Sequence, residues 1–346
     1  MSTELSTGST LSAQSSLARL IVRAPAKVNL HLGVGPRRAD GFHEVITVLQ
    51  AVSLYDELTV TALPPADGAG EGNGADEAEV AAIVEISGEG AVGPAGDPAV
   101  VPTGTDNLAV RAALLVARAA GLRGRRIHLA MAKGIPVAAG MAGGSADAAA
   151  ALVACDALWG TGLSAETLAG LAAQLGSDVP FPLTGGTALG VGRGEQLSPV
   201  TSAGEYHWVF ALADGGLSTP AVYREFDNHP YAAAGRTHDG RTEPTPADAV
   251  LAAVATGDPA ELGAALCNDL QDPAIRLRPS LGAVLAEGRT LGALGALVSG
   301  SGPTTAFLAR DANHGADLAA GLAASGLARA VRQASAPAPG ATVIGT

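Results

Sequence analysis

Of the 21 basic side chains in this 346-residue chain, only Lys27 and Lys133 are lysines, and each stands beside groups that make its choice informative. Val28, Leu30, Leu32 and Val34 alternate with Lys27, Asn29, His31 and Gly33, the period of a half-buried strand. Lys27 and Asn29 therefore share a polar face, about 7 Å apart along the strand. Lys133 opens a run through Pro136, Val137, Ala138, Ala139, Gly140, Met141, Ala142, Gly143 and Gly144 to Ser145 and Ala146, where an Ala-rich helix over 145–159 begins. Gly140, Gly143 and Gly144 let the backbone approach a ligand, and the helix start offers unpaired N–H groups to an anion. Ser145 either caps that helix or ligates Mg²⁺ through its hydroxyl; the plainer reading of the run is a tight strand-to-helix connection. Asp178 stands between Gly176 and Pro180, either as a solvated turn carboxylate or as a proton acceptor. Ser299-Gly300-Ser301-Gly302-Pro303 reads first as a turn, with residues small enough to lie against a ligand.

Two better-known nucleotide patterns fail. Gly88-Glu89-Gly90-Ala91-Val92-Gly93 matches G-x-G-x-x-G, but Pro94 and Pro98 follow where a helix would have to begin. No Gly-Lys dipeptide occurs, so the P-loop pattern cannot be written.

The elements that must hold these groups follow from periodicity and breakers. Strands are predicted at 45–52, 57–62, 80–86, 125–132, 187–191, 207–213, 294–299, 304–309 and 328–334. Helices are predicted from Asp106 to Ala120, from Ser164 to Gly176, and over 247–256, 259–267, 280–291 and 312–325. Strands and helices interleave without strict βα alternation, which favours α+β over a doubly wound sheet. Residues 1–19 read as a disordered tail without signal-peptide features, 20–200 as one domain and 205–346 as a second. Surface insertions are expected at 64–104 and 229–247, the first facing away from any anion site because it is acidic.

The formal charge is −12, yet it is local: thirteen acids and no Lys or Arg fall between residues 39 and 110. No basic stripe for nucleic acid appears, and no uncharged run is long enough to span a membrane. Two cysteines, Cys155 and Cys267, make no disulfide framework and fit a reducing, cytoplasmic setting. The seven histidines are scattered, without the spacing of a transition-metal site.

Taken together, Pro25-Ala-Lys27-Val-Asn29-Leu, the loop Pro136 to Ala146, Leu175-Gly-Ser-Asp178-Val-Pro180-Phe and Ser299 to Pro303 resemble the GHMP kinases in order and spacing. Within them, Arg38-Ala-Asp40-Gly41-Phe42-His43, Leu217-Ser-Thr219-Pro220 and Asn268-Asp269-Leu270 resemble the 4-diphosphocytidyl-2-C-methyl-D-erythritol kinases, over roughly residues 22–335. The loop departs from the family's usual Gly-Leu-Gly-Gly-Gly-Ser-Ser. Ala142 replaces a glycine, which is tolerable at negative φ, and Ala146 removes a second hydroxyl.

The resemblance implies an N-terminal ribosomal-protein-S5-like domain and a C-terminal ferredoxin-like domain, with the active site in the cleft between them. It implies transfer of the γ-phosphoryl of ATP, with Mg²⁺, to the 2-hydroxyl of a small-molecule substrate in isoprenoid-precursor biosynthesis. Asp178 would be the general base and Lys27 its charge partner; loop 136–146 would cradle the phosphates. Asn107 and Lys133 would lie near ATP, although Asn107 equally suits a helix start and Lys133 a strand end. Asn29, Phe42, His43 and Thr219 would bind substrate, with Phe42 and His43 recognising cytosine; an ordinary surface histidine is the plain alternative for His43. A monomer or weak homodimer is expected. A homoserine- or mevalonate-type kinase and a non-catalytic ATP-binding sensor are the competing readings.

Overall fold

The computed structural model describes residues 17–64, 80–88, 100–228 and 240–346. The tail 1–16, most of the 64–104 insertion, the Gly-rich match at 89–93 and most of the 229–247 insertion lie outside the described residues.

Two long strands open the fold, β1 (Arg19–Arg37) and β2 (His43–Ala62). β2 runs without interruption through what the sequence divides at 53–56, and Arg19, assigned to the tail, starts β1. The strand β3 (Val80–Gly88), helix α1 (Leu108–Ala119) and strand β4 (Arg125–Lys133) follow. Then come α2 (Gly143–Trp159), α3 (Ala165–Leu175), the short α4 (Pro180–Thr184), β5 (Thr187–Val191) and β6 (Gln196–Pro199). The second half runs β7 (Tyr206–Leu212), α5 (Thr219–Asp227), α6 (Asp248–Thr256), α7 (Pro259–Ala265), β8 (Cys267–Asn268) and α8 (Gln271–Leu277). It closes with α9 (Ser280–Thr290), β9 (Gly295–Val298), β10 (Thr305–Ala309), α10 (Ala312–Ala324), β11 (Ala330–Ala336) and β12 (Thr342–Gly345).

The strands form two sheets. One has the path β12-β1-β2-β4-β3 with β5, β6 and β8 attached, and the other is antiparallel in the order β11-β7-β10-β9. β8 and β12 come from the second half of the chain yet pair with β1. The sheets are also tied by Trp208, which donates from Nε1 to Gln50 Oε1 at 3.3 Å, and by the Ser335 N–H, which donates to Ser53 Oγ at 2.8 Å.

The Ala-rich text of α2 has a packing reason. Ala146, Ala148 to Leu152, Ala154 and Cys155 are all buried, so the helix is apolar all round and sits inside the first core. Small side chains let it lie close to β1 and to α1. A second core fills the space between the four-stranded sheet and its helices, with Phe307, Val284, Leu285, Leu318 and Leu322. β1 is buried on both faces for most of its length, not half-buried as its alternation suggests, because its polar face is covered by the turn at Gly300 and by the chain at Thr245. Among the described residues no helix is long and apolar enough to cross a membrane.

Candidate active site

The polar face of β1 supplies the first groups. Lys27 and Asn29 are buried, and Lys27 Nζ donates to Asn29 Oδ1 at 2.5 Å. Asn29 Nδ2 donates to Thr47 Oγ1 on β2 at 2.9 Å, and Thr47 Oγ1 in turn donates to the His31 carbonyl at 2.7 Å. The β9–β10 turn closes over this row: a Cβ on Gly300 would lie 3.0 Å from Lys27 Nζ and 3.3 Å from Asn29 Oδ1. Gly140 of the other glycine loop packs on the same turn, where a Cβ would fall 2.4 Å from the Ser299 carbonyl. Asn268 holds the turn through Nδ2, which donates to the Val298 and Gly300 carbonyls at 2.7 Å each. The tract Asn268-Asp269 thus acts as a clamp, since Asp269 Oδ2 accepts from the Val34 N–H at 2.9 Å and from Thr245 Oγ1 at 2.8 Å.

These groups open into a cavity of about 910 Å³. Asp178, exposed just after α3, lines it together with Lys27 and Asn29. Lys27 and Asp178 make no direct ion pair, but they sense each other: burial lowers the Lys27 pKa and the Asp178 carboxylate pulls it back up. Phe42, His43 and Thr219 also line the cavity, with Tyr223 and Asp227 of α5. The turn before β2 presents Phe42 outward, 52% exposed, because Asp40 Oδ1 accepts the Phe42 N–H at 3.0 Å and Asp40 is itself paired with Arg38. His43 is buried, with Nδ1 2.8 Å from the Gly35 carbonyl, Nε2 3.5 Å from Asp227 and its ring 5.1 Å from that of Tyr223. The surface-histidine alternative is thereby removed. Thr219 Oγ1 lies 2.8 Å from Ser301 Oγ, joining the start of α5 to the glycine turn.

A smaller compartment of about 420 Å³ adjoins the first through the shared residues Gly140 and Ala142. Asn107, Lys133, Pro136 to Ala139, Gly143 and Gly144 line it. Met141 and Ala146 of the predicted loop are instead fully buried in the core, and Met141 contributes its carbonyl to the Lys27 N–H at 3.2 Å. Val100 to Pro102, the end of the acidic insertion, also line the compartment, so that part of the insertion reaches the cleft it was expected to avoid.

Two local expectations are corrected, at Ser145 and Ala142, and at Asn107 and Lys133 the helix-start and strand-end alternatives are the ones observed. α2 begins at Gly143, so Ser145 sits in its first turn and is not the cap; its hydroxyl has no hydrogen bond among the described residues and can accept a ligand. The residue before the helix, Ala142, has φ 62° and ψ 33°, so the condition of negative φ is not met and the substitution carries left-handed strain. Asn107 is the N-cap of α1, which starts at Leu108: its Oδ1 accepts from the Ala109 N–H at 2.8 Å and its Nδ2 donates to the Pro102 carbonyl at 2.7 Å. Lys133 is committed to protein partners: Asp56 Oδ2, Asp147 Oδ2 at 2.5 Å and the Gly143 carbonyl at 3.3 Å.

Asp56 and Asp147 were missed in the sequence. Asp56 Oδ1 also accepts the Gly134 and Ile135 N–H groups at 2.8 and 2.9 Å, fixing the chain as it leaves β4. Burial pushes Asp147 up to about 7 against the pull of Lys133, and its Oδ1 has no partner. Its signal was available: it is the one acid in the first three turns of an Ala-rich helix. Tyr223 was missed although it stands four residues after Thr219, on one helix face. Arg193 sits between two glycines in the turn after β5, a place that carries no pattern.

Comparison with known proteins agrees with this architecture. The family described as GHMP kinases N terminal domain matches residues 107–186, and that described as GHMP kinases C terminal matches 250–327. A 4-diphosphocytidyl-2-C-methyl-D-erythritol kinase of Thermobifida fusca is 54% identical over 323 residues, covering 93% of this chain and 97% of its own. One of Streptomyces coelicolor is 53% identical, covering 93% and 98%. A crystal structure of 4-(cytidine 5'-diphospho)-2C-methyl-D-erythritol kinase superposes with a TM-score of 0.69 at 33% identity, over 93% of this chain and 100% of that one. The two-domain α+β fold, the cleft and this level of identity make the chain a member of the GHMP kinases, in the family of 4-diphosphocytidyl-2-C-methyl-D-erythritol kinases.

Proposed function

We infer that this protein transfers the γ-phosphoryl group of ATP to the 2-hydroxyl of 4-diphosphocytidyl-2-C-methyl-D-erythritol, giving the 2-phosphate and ADP, a step of isoprenoid-precursor synthesis. The observation that carries the reading is one continuous cleft. Its larger part joins Lys27 and Asp178 to Phe42, His43 and Tyr223, and its smaller part is built on the glycine loop.

In this reading the domains 20–200 and 205–346 meet at the cleft. Loop 136–146 and the start of α2 bind the phosphates of ATP through backbone N–H groups, as helix N-termini do. Asn107 shapes the nucleotide compartment as a cap. Lys133 acts by bracing the loop, since all three of its protons are taken. Ser145 Oγ would be the protein ligand of a Mg²⁺ bound with the nucleotide, which would supply charge neutralisation at the phosphates.

Asp178 accepts the proton of the substrate 2-hydroxyl as that oxygen bonds the γ-phosphorus; the bond to the β,γ-bridging oxygen breaks and ADP leaves. Lys27, a compact charge held by Asn29, offsets negative charge at the transferred group. Phe42 and Tyr223 offer ring faces to cytosine, His43 a ring nitrogen, and Asn29 and Thr219 polar contacts along the substrate. The small molecule is the partner, and a cytoplasmic monomer or weak homodimer goes with the reading.

The test is ADP release by the purified protein with Mg-ATP, comparing the cytidine substrate with homoserine and mevalonate. Turnover confined to the cytidine compound is expected. Turnover of another alcohol points to a sibling kinase, and ATP binding without any turnover points to a sensor.

A further inference from the structure

The chain carries a formal charge of −12, yet its larger cavity is lined by Lys27, Arg37, Arg193 and Arg224 against the carboxylates of Asp178 and Asp227. A cavity that gathers cations on an acidic protein is built for an anion. The glycine loop touches this cavity at Gly140 and Ala142 and turns most of its length to the neighbouring compartment, so it does not account for the cations gathered here.

Arg193 is the cation that meets Phe42 from a turn packed on β2 beside Thr47. Its guanidinium carbon lies 5.2 Å from the centroid of the Phe42 ring. Its neighbour Gly194 lies against Thr47, where a Cβ would be 3.7 Å from Cγ2, and Thr47 is one hydrogen bond from Asn29 and two from Lys27. The turn holding Arg193 is fixed to β2 by the Val45 N–H, which donates to the Gly192 carbonyl at 2.9 Å. Glu195 accepts the Arg193 backbone N–H at 2.7 Å but is 3.7 Å from Nε, and Nη1 and Nη2 have no partner among the described residues.

A cytidine 5'-diphosphate ester has the same order: base, then diphosphate, then the alcohol that reacts. We propose that Arg193 binds the substrate diphosphate, setting the span between the base held at Phe42 and the hydroxyl brought to Lys27 and Asp178. A guanidinium suits this task because its planar fork can donate two parallel hydrogen bonds to phosphate oxygens. The inference rests on the cytidine-diphosphate reading above.

The test is calorimetric binding of cytidine 5'-diphosphate and of cytidine to the full chain and to Arg193→Met, which keeps the stem over Phe42 and removes the charge. Arg193 is surface-exposed, and matched melting curves check the fold. Wild type is expected to prefer the diphosphate. Arg193→Met should lose roughly 10- to 100-fold in diphosphate affinity, the range for charge-assisted hydrogen bonds, with cytidine affinity unchanged. Arg193→Lys should recover part of the loss. Equal losses for both ligands would mean that Arg193 acts only through the Phe42 ring, and tighter binding of both that it occupies the place of the base; either result, or no change, overturns the proposal. Failure of wild type to bind either ligand would overturn the substrate reading itself.

Discussion

Removing the Lys133 ammonium tests the claim that this lysine braces the glycine loop before α2. In Lys133→Met the side chains of Asp56 and Asp147, 1% and 4% exposed, remain buried without their shared cation. Breaking a buried ion pair by deleting one partner costs about 3–5 kcal/mol. The pH dependence makes the prediction specific. Burial raises Asp147 to about 7, above the value near 3.8 for a free carboxyl, so the folded state keeps a proton that the unfolded state has released. Stability therefore falls as pH rises between those values and levels off above about 7. Burial also raises Asp56, and Lys133 pulls both carboxyls down. Without the lysine both hold their protons to higher pH, so the variant keeps losing stability where wild type no longer does. One additional proton retained across one pH unit is worth ~1.4 kcal/mol. Urea unfolding at pH 6 and pH 8 should show a deficit that widens by at least that amount at the higher pH. Lys133→Met/Asp147→Leu, which removes both partners of one pair, should recover ~2 kcal/mol or more and provides a folded reference. A single variant within ~1 kcal/mol of wild type at pH 8, or a deficit equal at both pH values, would refute the bracing role.

Asp178→Asn is expected to cut turnover by roughly 10²–10⁴ with little change in either KM. Because the Asp178 charge raises the pKa of Lys27 against its burial, Lys27 in this variant should become reactive to an amine reagent at lower pH than in wild type; an unchanged profile would disprove the coupling. Gly300→Ala puts a methyl 3.0 Å from Lys27 Nζ at a residue with φ +57°, so kcat should fall at least roughly tenfold while KM for Mg-ATP holds, read by steady-state kinetics. Ala142→Gly relieves a left-handed alanine at φ 62°; strain of ~1–2 kcal/mol, less the greater freedom of unfolded glycine, leaves a gain of ~0.5–1 kcal/mol, and a lower Tm would contradict this.

The short-range features were legible because local chemistry decides them. Alternation placed Lys27 and Asn29 on one strand face, the glycines marked the loop before α2 and the turn after β9, and Ser164 does cap α3, accepting the Thr167 N–H at 3.1 Å. The rarity of lysine flagged two residues that the structure buries at the cleft. What the text did not disclose depends on residues far apart in sequence. Asp56 and Lys133 are 77 positions apart and meet only because β2 and β4 pair with those two residues opposite each other. Tertiary packing also decided that β1 is buried on both faces, since the chain at Thr245 and the turn at Gly300 arrive from the other half of the chain. The alternation of a strand reports that its two faces differ, not whether the polar one meets water or a cleft. The sequence by itself determined the family and most of the longer elements, but not α5, α8 or the strands β6, β8 and β12. Only the tertiary structure decided that Lys133 is shared between two buried carboxylates and that Arg193 lies over Phe42 in a turn whose Gly194 packs on Thr47, because those assignments are made by long-range packing.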